Sequence, residues 1–398
     1  MQICNIYSSF IYICLLKLVH FTHYLLTKIA TMLSFLINSL PLLLFLSHFI
    51  APSSCHNTEN SMIQSPPNQV HHKQHQPHTW HKFRKLANAR KGSRVEDIAE
   101  LKSYFQRFGY YDHPLIPKGE EKVDFSNEFD DHLEHVLIRY QQNYGLPVTG
   151  TLDHCTLSMI MSPRCGIPDH PKKSSYSLHE TRHYLYFPGR PRWNRDIPMT
   201  LKYAYSLDDF ITYLSLNDIK GAFERAFLRW ASVIPVKFVE TKDLGVADIK
   251  IGFYKGDHGD GEPFDGVLGV LAHAFSPENG RFHLDAAEKW TIDFDKEDSD
   301  VAVDLESVAL HEIGHLLGLA HSNVKESVMY PSLKPREKKL KLRFDDIEGV
   351  QYLYGSNPNF TIGSLLESET SSSQSLNWRE GLQILATFLV ISIINFLQ

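Results

Sequence analysis

The sequence predicts two folded units: a small bundle of three helices, then an α+β domain in which one mixed sheet packs on helices. Three observations carry this. Apolar residues recur at helical spacing in three runs between about residues 93 and 162. From about Tyr184 the pattern changes to short alternating strands interleaved with longer helical runs. Between the two lies SPRCGIPDHPKKSSYSLHETRH, a linker rich in Pro, Ser and Lys and a natural place for proteolytic cutting.

The first helical run has Ser93 and Glu96 as a capping box ahead of Val95, Ile98, Leu101, Phe105 and Phe108, and Gly109 ends it. The second places Phe129, Leu133, Val136, Leu137 and Tyr140 on one face and closes near Gly145. The third carries Leu152, Leu157, Ile160 and Met161 before Pro163. Cys155 on that run reads as a buried small apolar residue, and for Cys165 a free surface thiol or a pairing with Cys155 is the plain reading beside the role given below.

In the second unit MTLKYAY alternates as a strand, and NDIKGAFERAFLRWASVI is a helix capped by Asn217 with Ala222, Phe223, Ala226, Phe227 and Trp230 on its buried face. VKFVE, ADIKIGFY, LAHAFS and FHLDAA are strands, followed by a histidine-bearing helix and the closing helix FDDIEGVQYLYG. Strand, helix, several strands and two helices make an α+β order.

The chain has 398 residues and a formal charge of -6, which gives no basis for nucleic acid as a partner. Its five cysteines all lie at or before Cys165, so disulfides cannot staple the second unit. Both ends are apolar. Residues 1–54 read as a secretory leader, with Met32 or Met1 as the start. The tail after SETSSSQSLNWREG runs apolar to the last residue, the pattern of a glycosylphosphatidylinositol signal rather than a spanning helix. The attachment residue falls among Ser371, Ser372, Ser373 and Ser375, and residues 376–398 would be removed. Residues 357–375 then form the linker to the anchor, and the expected location is the outer face of the plasma membrane.

The stretch SVALHEIGHLLGLAHS places chemistry on the apolar helix. His311 and His315, four residues apart, project from one face. Gly318 lets the chain turn back so that His321 adds a third imidazole. Three imidazoles leave one position open, as catalytic zinc requires, and Glu312 stands ready to take a proton from the attacking water. The extended H-E-x-x-H-x-x-G-x-x-H form gives five positions separate physical jobs, which makes chance agreement rare. Met329 in SVMYPS suits the methionine turn beneath the zinc of metzincin proteases.

A second cluster gathers His258, Asp260, His273 and His283. One Asp with three His makes a closed, structural zinc site, with His258 and Asp260 alternating on one strand face. Asp265 with Gly266, and Asp285 with Glu288, offer oxygen ligands for calcium.

HEIGHLLGLAHS, the MYP turn and PRCGIPD together resemble the matrix metalloproteinases, over roughly residues 93–355, and YQQNYGLPVTGTLD resembles their peptidoglycan-binding-like prodomain. The sequence leaves no room for a hemopexin-like domain, and with the anchor signal it most resembles the plant-type members. The resemblance implies a metzincin-like protease domain over residues 184–356, with a mixed five-stranded sheet and three helices. Residues 55–183 would be the propeptide, holding the helical prodomain at about 93–162 and a cysteine switch at 163–169. There Cys165 would take the open zinc position in the latent form, with Arg164 paired to Asp169. It also implies two zinc ions and at least one calcium, the latter with the carbonyls of Gly266, Leu268 and Val270. Leu268 stands where the family often has glycine. A second calcium would use Asp248, but Arg281 stands where an acidic ligand is expected. Asp345 would hold the new N-terminal amine, and the edge of LAHAFS would pair with substrate as an antiparallel strand.

The expected activity is cleavage of internal peptide bonds in extracellular or cell-wall proteins, with a hydrophobic residue after the scissile bond held by MYPSLKPREKKLKLRF. Arg336 to Lys341 would form a solvated rim. Asn359 in NFT is a glycan acceptor by motif. A catalytically idle cell-surface binding protein is the alternative, and Glu312 argues against it because metal binding alone needs no base.

Overall fold

The computed structural model describes residues 79–111, 125–170, 184–206 and 210–361. The leader, the linker from 171 to 183 and the serines proposed for the anchor lie outside them.

The helical unit opens with a 3-10 turn, His81–Leu86, and holds α1 (Ile98–Arg107), α2 (Asp131–Asn143) and α3 (His154–Ile160). Asp130 caps α2 by accepting from the Leu133 amide at 2.7 Å, and Asp153 caps α3 through Thr156 at 2.8 Å. The expected capping box does not form. α1 starts behind Asp97 in a left-handed conformation, and Ser93 instead accepts from the Arg90 amide to close a turn. The apolar faces meet in one core built on Phe83, Leu101, Phe105, Leu133, Leu137 and Ile160. Cys155 is half-buried and disulfide-bonded, not the buried filler its sequence context suggested; Cys165 is free.

The second unit runs β2 (Tyr184–Tyr186), β3 (Met199–Tyr205), α4 (Leu216–Val233), β4 (Val236–Glu240), β5 (Ile249–Tyr254), β6 (Val270–Ala274), β7 (Arg281–Asp285), β8 (Trp290–Thr291), β9 (Val303–Asp304), α5 (Leu305–Leu316), β10 (Leu319–Ser322) and α6 (Phe344–Tyr354). Ser215 caps α4, two residues before the expected Asn217, because its hydroxyl reaches the Asp218 amide at 3.1 Å. α4 buries Phe223, Phe227 and Trp230, and the Trp230 indole donates to Leu310 O of α5 at 2.8 Å. Every residue of α5 is buried, so the helix forms the centre of the domain.

With Arg164–Cys165 as β1, the main sheet has the order β4-β3-β5-β7-β6-β1, parallel except between β6 and β7. Five strands come from the second unit, as expected. The sixth, β1, is Arg164–Cys165 from the segment before the linker. It closes the unpaired edge of β6, with Arg164 N donating to Gly269 O at 3.0 Å and Gly166 N to Ala272 O at 2.8 Å. On its other side Cys165 N donates to Pro331 O at 2.9 Å.

Two glycines are demanded by close approach. A Cβ on Gly314 would sit 2.2 Å from Met329 Sδ, so only glycine lets α5 lie against the methionine turn. A Cβ on Gly109, whose φ is +82°, would meet His170 O at 2.1 Å, where the helical unit touches the end of the Cys165 segment.

Candidate metal centre and active site

α5 presents His311 and His315 side by side, and their Nε2 atoms lie 3.1 Å apart. Each ring donates from Nδ1 to a backbone carbonyl at 2.7 Å, His311 to Val328 O and His315 to Leu319 O. Those bonds set the tautomer, so both Nε2 atoms face each other as lone-pair donors. Gly318, at φ +100°, turns the chain into β10, which returns His321 to the cluster. His321 donates from Nδ1 to Asp169 Oδ1 at 2.9 Å, and its Nε2 is buried with no protein partner. Cys165 Sγ lies 3.4 Å from His315 Nε2. The ligand atoms of Cys165, His311, His315 and His321 all fall within 4.8 Å of one another.

Glu312 is fully buried, and neither carboxylate oxygen makes a hydrogen bond of good geometry. Burial raises its carboxyl to about 8. Burial likewise pulls His311 and His315 well below the ordinary imidazole value, and it pushes the Cys165 thiol up with help from Glu312. Lone pairs facing across 3.1 Å and a carboxyl without a donor are a poor arrangement for neutral protein atoms alone. One divalent cation among the ring nitrogens and the thiol satisfies the imidazole lone pairs and leaves Glu312 beside it, and the nitrogen and sulfur donors fit zinc.

Met329 is fully buried beneath this cluster. Its turn hangs on Asp346, which lies in no motif. Asp346 accepts from Ser327 Oγ, from Val328 N at 3.0 Å and from Met329 N at 3.0 Å. Its only trace in the sequence is an acidic pair at a helix start. Asp345, the neighbour singled out by resemblance, is half-buried.

The segment before the linker is clamped around Arg164 and Asp169. The guanidinium bonds both carboxylate oxygens, at 2.5 and 3.2 Å, and lies 3.6 Å above the Phe108 ring. Tyr110 and Tyr144 donate to Asp169 Oδ2 at 2.7 and 2.9 Å. Burial works to raise the Asp169 carboxyl, but Arg164 and then His321 outweigh it and hold it far below the usual range.

His258, Asp260, His273 and His283 also converge. Asp260 Oδ2 lies 2.9 Å from His258 Nε2, 2.8 Å from His273 Nε2 and 2.8 Å from His283 Nδ1. His258 and Asp260 sit in a loop after β5, not on a strand face; left-handed Gly256 and Gly259 turn the chain there. His273 and His283 are register partners on β6 and β7. Burial lowers both to about 4, which keeps them neutral and able to bind metal.

Asp265, Asp285 and Glu288 surround the loop that leads into β6. They accept from Val270 N at 2.7 Å, Gly266 N at 3.2 Å and Leu268 N at 2.8 Å respectively, and Glu288 Oε2 is buried without a partner. Burial raises Asp285 to about 6 and Glu288 well above its ordinary value. Three crowded carboxyls with a free oxygen suit a hard cation such as calcium. Leu268 has φ +58°, a conformation that glycine adopts without strain. Thr79, at the start of the helical unit, donates to Asp265 O and Val267 O of this loop at 2.9 and 3.2 Å; no motif signalled that contact. Asp248 is committed elsewhere: it accepts from Arg195 and from the Lys202 amide at 2.8 Å, so a cation there would have to break an ion pair.

A pocket beside Cys165 and Glu312 is lined by Leu271, Val308, Val328, Tyr330 and Leu333. Arg336 and Lys338 are exposed, though Arg336 donates to the carbonyls of Phe294, Glu297 and Ser299 and Lys338 to that of Ile292, and Lys339 is half-buried in the pocket wall with Nζ donating to Lys325 O at 3.0 Å. Asn359 is exposed.

Residues 192–355 match the matrixin family, and residues 94–160 match the putative peptidoglycan binding domain. Metalloendoproteinase 4-MMP of Arabidopsis thaliana is 59% identical over 276 residues, 69% of this chain and 78% of that protein. Metalloendoproteinase 1-MMP of the same plant is 52% identical over 324 residues, 80% of this chain and 86% of that protein. Metalloendoproteinase 1 of Glycine max is 42% identical over 292 residues, 71% and 91% of the two chains.

Proposed function

The chain belongs to the matrixins and is a metalloendopeptidase, and from that premise we propose that it is made as a latent zinc enzyme blocked by its own Cys165. The observation that carries this reading is the thiol 3.4 Å from His315 Nε2 inside the histidine cluster.

His311, His315 and His321 would hold the catalytic zinc, with Cys165 as fourth ligand before activation. When bound, zinc supplies Lewis acidity to the scissile carbonyl and acidity to the attacking water. Glu312, one residue after His311 and shielded from bulk water, would be held ionised by the charge of a cation bound beside it, and so accepts the proton from that water and returns it to the leaving amine. The edge of β6 aligns the substrate backbone, and the apolar pocket takes the side chain after the scissile bond. β1 occupies the same edge in parallel orientation, opposite to the antiparallel course expected of substrate. The segment thus covers the cleft with its peptide bonds reversed.

His258, Asp260, His273 and His283 would hold a structural zinc. Asp265, Asp285, Glu288 and the carbonyls of Gly266, Leu268 and Val270 would hold calcium. The apolar ends support secretion and a lipid anchor on the outer face of the plasma membrane, with extracellular or cell-wall proteins as substrates and Asn359 as glycan acceptor.

The test is cleavage of a quenched fluorescent peptide by the uncut chain, before and after an organomercurial, with and without a chelator. Cleavage only after the mercurial, abolished by chelation, is the expected result. Equal cleavage before and after treatment removes the latency reading, and activity that survives chelation removes zinc.

A further inference from the structure

The three histidines of the centre are not supported alike. His311 and His315 donate to carbonyls of their own unit, Val328 O and Leu319 O, neither of which belongs to the segment before the linker. His321 donates to Asp169, 152 residues earlier in the chain and on the other side of the linker. That carboxylate is 2% exposed. Its Oδ1 is shared between Arg164 and His321, and its Oδ2 receives Tyr110, Tyr144 and the second Arg164 nitrogen. Every contact donates into it, so it stands as a rigid anion aimed at one ring nitrogen. A carboxylate on the far nitrogen of a ligating imidazole fixes its tautomer and raises its basicity.

Resting on the reading that His321 is a zinc ligand, we propose that Asp169 is a positioning residue for His321 in the uncut chain. Removal of the pro-segment then strips the centre of two supports: the Cys165 thiol, and the hydrogen bond that orients the third imidazole. The uncut chain holds its zinc more tightly than the cut chain for a reason independent of sulfur. The latent form is thereby a zinc-retaining form, and the cut enzyme is the one that surrenders metal to chelators.

The full chain carrying Glu312→Ala, to stop self-cleavage, and Cys165→Ala, to remove the thiol, separates the two supports. Zinc affinity is read by competition with a chromophoric chelator, before and after a protease opens the linker and the pro-segment is removed. The uncut protein is expected to bind about 10- to 100-fold more tightly, as loss of such a partner usually costs. Adding Asp169→Ala to the uncut protein abolishes that difference, whereas Arg164→Lys leaves it. Cobalt substitution supplies a second readout: the d–d bands shift on cutting and in the Asp169 variant alike. Equal affinity of cut and uncut forms overturns the proposal, as does an equal loss in the Asp169→Ala and Arg164→Lys variants. Should Asp169→Ala fail to fold, the cut-versus-uncut comparison decides alone. His321→Ala is the control: if it leaves zinc affinity unchanged, the metal-centre reading fails, and if it weakens zinc while Asp169→Ala does not, only the role of Asp169 fails.

Discussion

The two histidine clusters of the second unit are built from similar donors but closed by different parts of the chain. At the cluster around Asp260 all four donors lie between residues 258 and 283, and one carboxylate oxygen sits 2.8–2.9 Å from three imidazoles. Nothing outside the unit is needed to complete it. At the cluster on α5 the fourth donor, Cys165, and the partner of His321, Asp169, both arrive from before the linker. A site closed by its own loop is a staple. On the latency we propose, a site closed by a segment from before the linker opens when that segment leaves.

The largest expected effect tests the open centre. Glu312→Ala in the cut enzyme removes the proton acceptor and lowers kcat roughly a hundred- to ten-thousand-fold while zinc content, measured by metal analysis, stays the same. A loss below tenfold would mean that another group takes the proton. Next is the uncut Cys165→Ser chain, expected to cleave peptide at least about tenfold faster than the uncut parent, because a hydroxyl is a far weaker zinc ligand than a thiolate. The closed cluster responds differently. His283→Ala costs stability before it touches chemistry, about 3 kcal/mol or roughly 6–12 °C in Tm for a domain of this size, measured by calorimetry on the cut protein. An unchanged Tm there would erase the contrast between staple and gate.

Smaller effects sharpen the comparison. In calcium-stripped protein, burial holds the Asp285 carboxyl at about 6. A carboxyl that titrates higher folded than unfolded contributes stability that is complete below about pH 4 and is lost as pH rises through about 6. The Tm difference between calcium-loaded and EGTA-treated protein therefore widens over that window, and a constant difference would remove these carboxyls from the calcium site. Smallest is Tyr144→Phe. It deletes one hydrogen bond to Asp169 and the acceptor for Arg164, about 1–2 kcal/mol in all. The variant should become active faster during storage, seen as a shorter lag in peptide cleavage.

What could be read from the chain follows from distance along it. His311, Glu312, His315 and His321 are legible because a helix and its closing turn bring them together with no help from elsewhere. The strands were legible from alternation, though helix starts were not: Ser93 and Asn217 have capping chemistry, but neighbouring turns gave the work to other residues or to none. Asp346 under the methionine turn, Thr79 on the Asp265 loop and Lys339 in the pocket wall carried no pattern. Each acts on a partner reached only after the chain has folded back. Asp248, the less secure position that the resemblance offered for a second cation, is paired with Arg195, a partner 53 residues earlier that no local pattern announces.

Taken alone, the order of residues determined the α+β class, the two-unit layout and the histidine cluster with its glutamate. These rest on periodicity and on ligands spaced within a few turns of backbone. Only the tertiary structure decided that the Cys165 segment becomes a sixth strand, that an aromatic box grips Arg164, and that Asp169 steadies His321. Those contacts join groups 150 residues or more apart in some cases, and their energy depends on burial and geometry that no local pattern encodes.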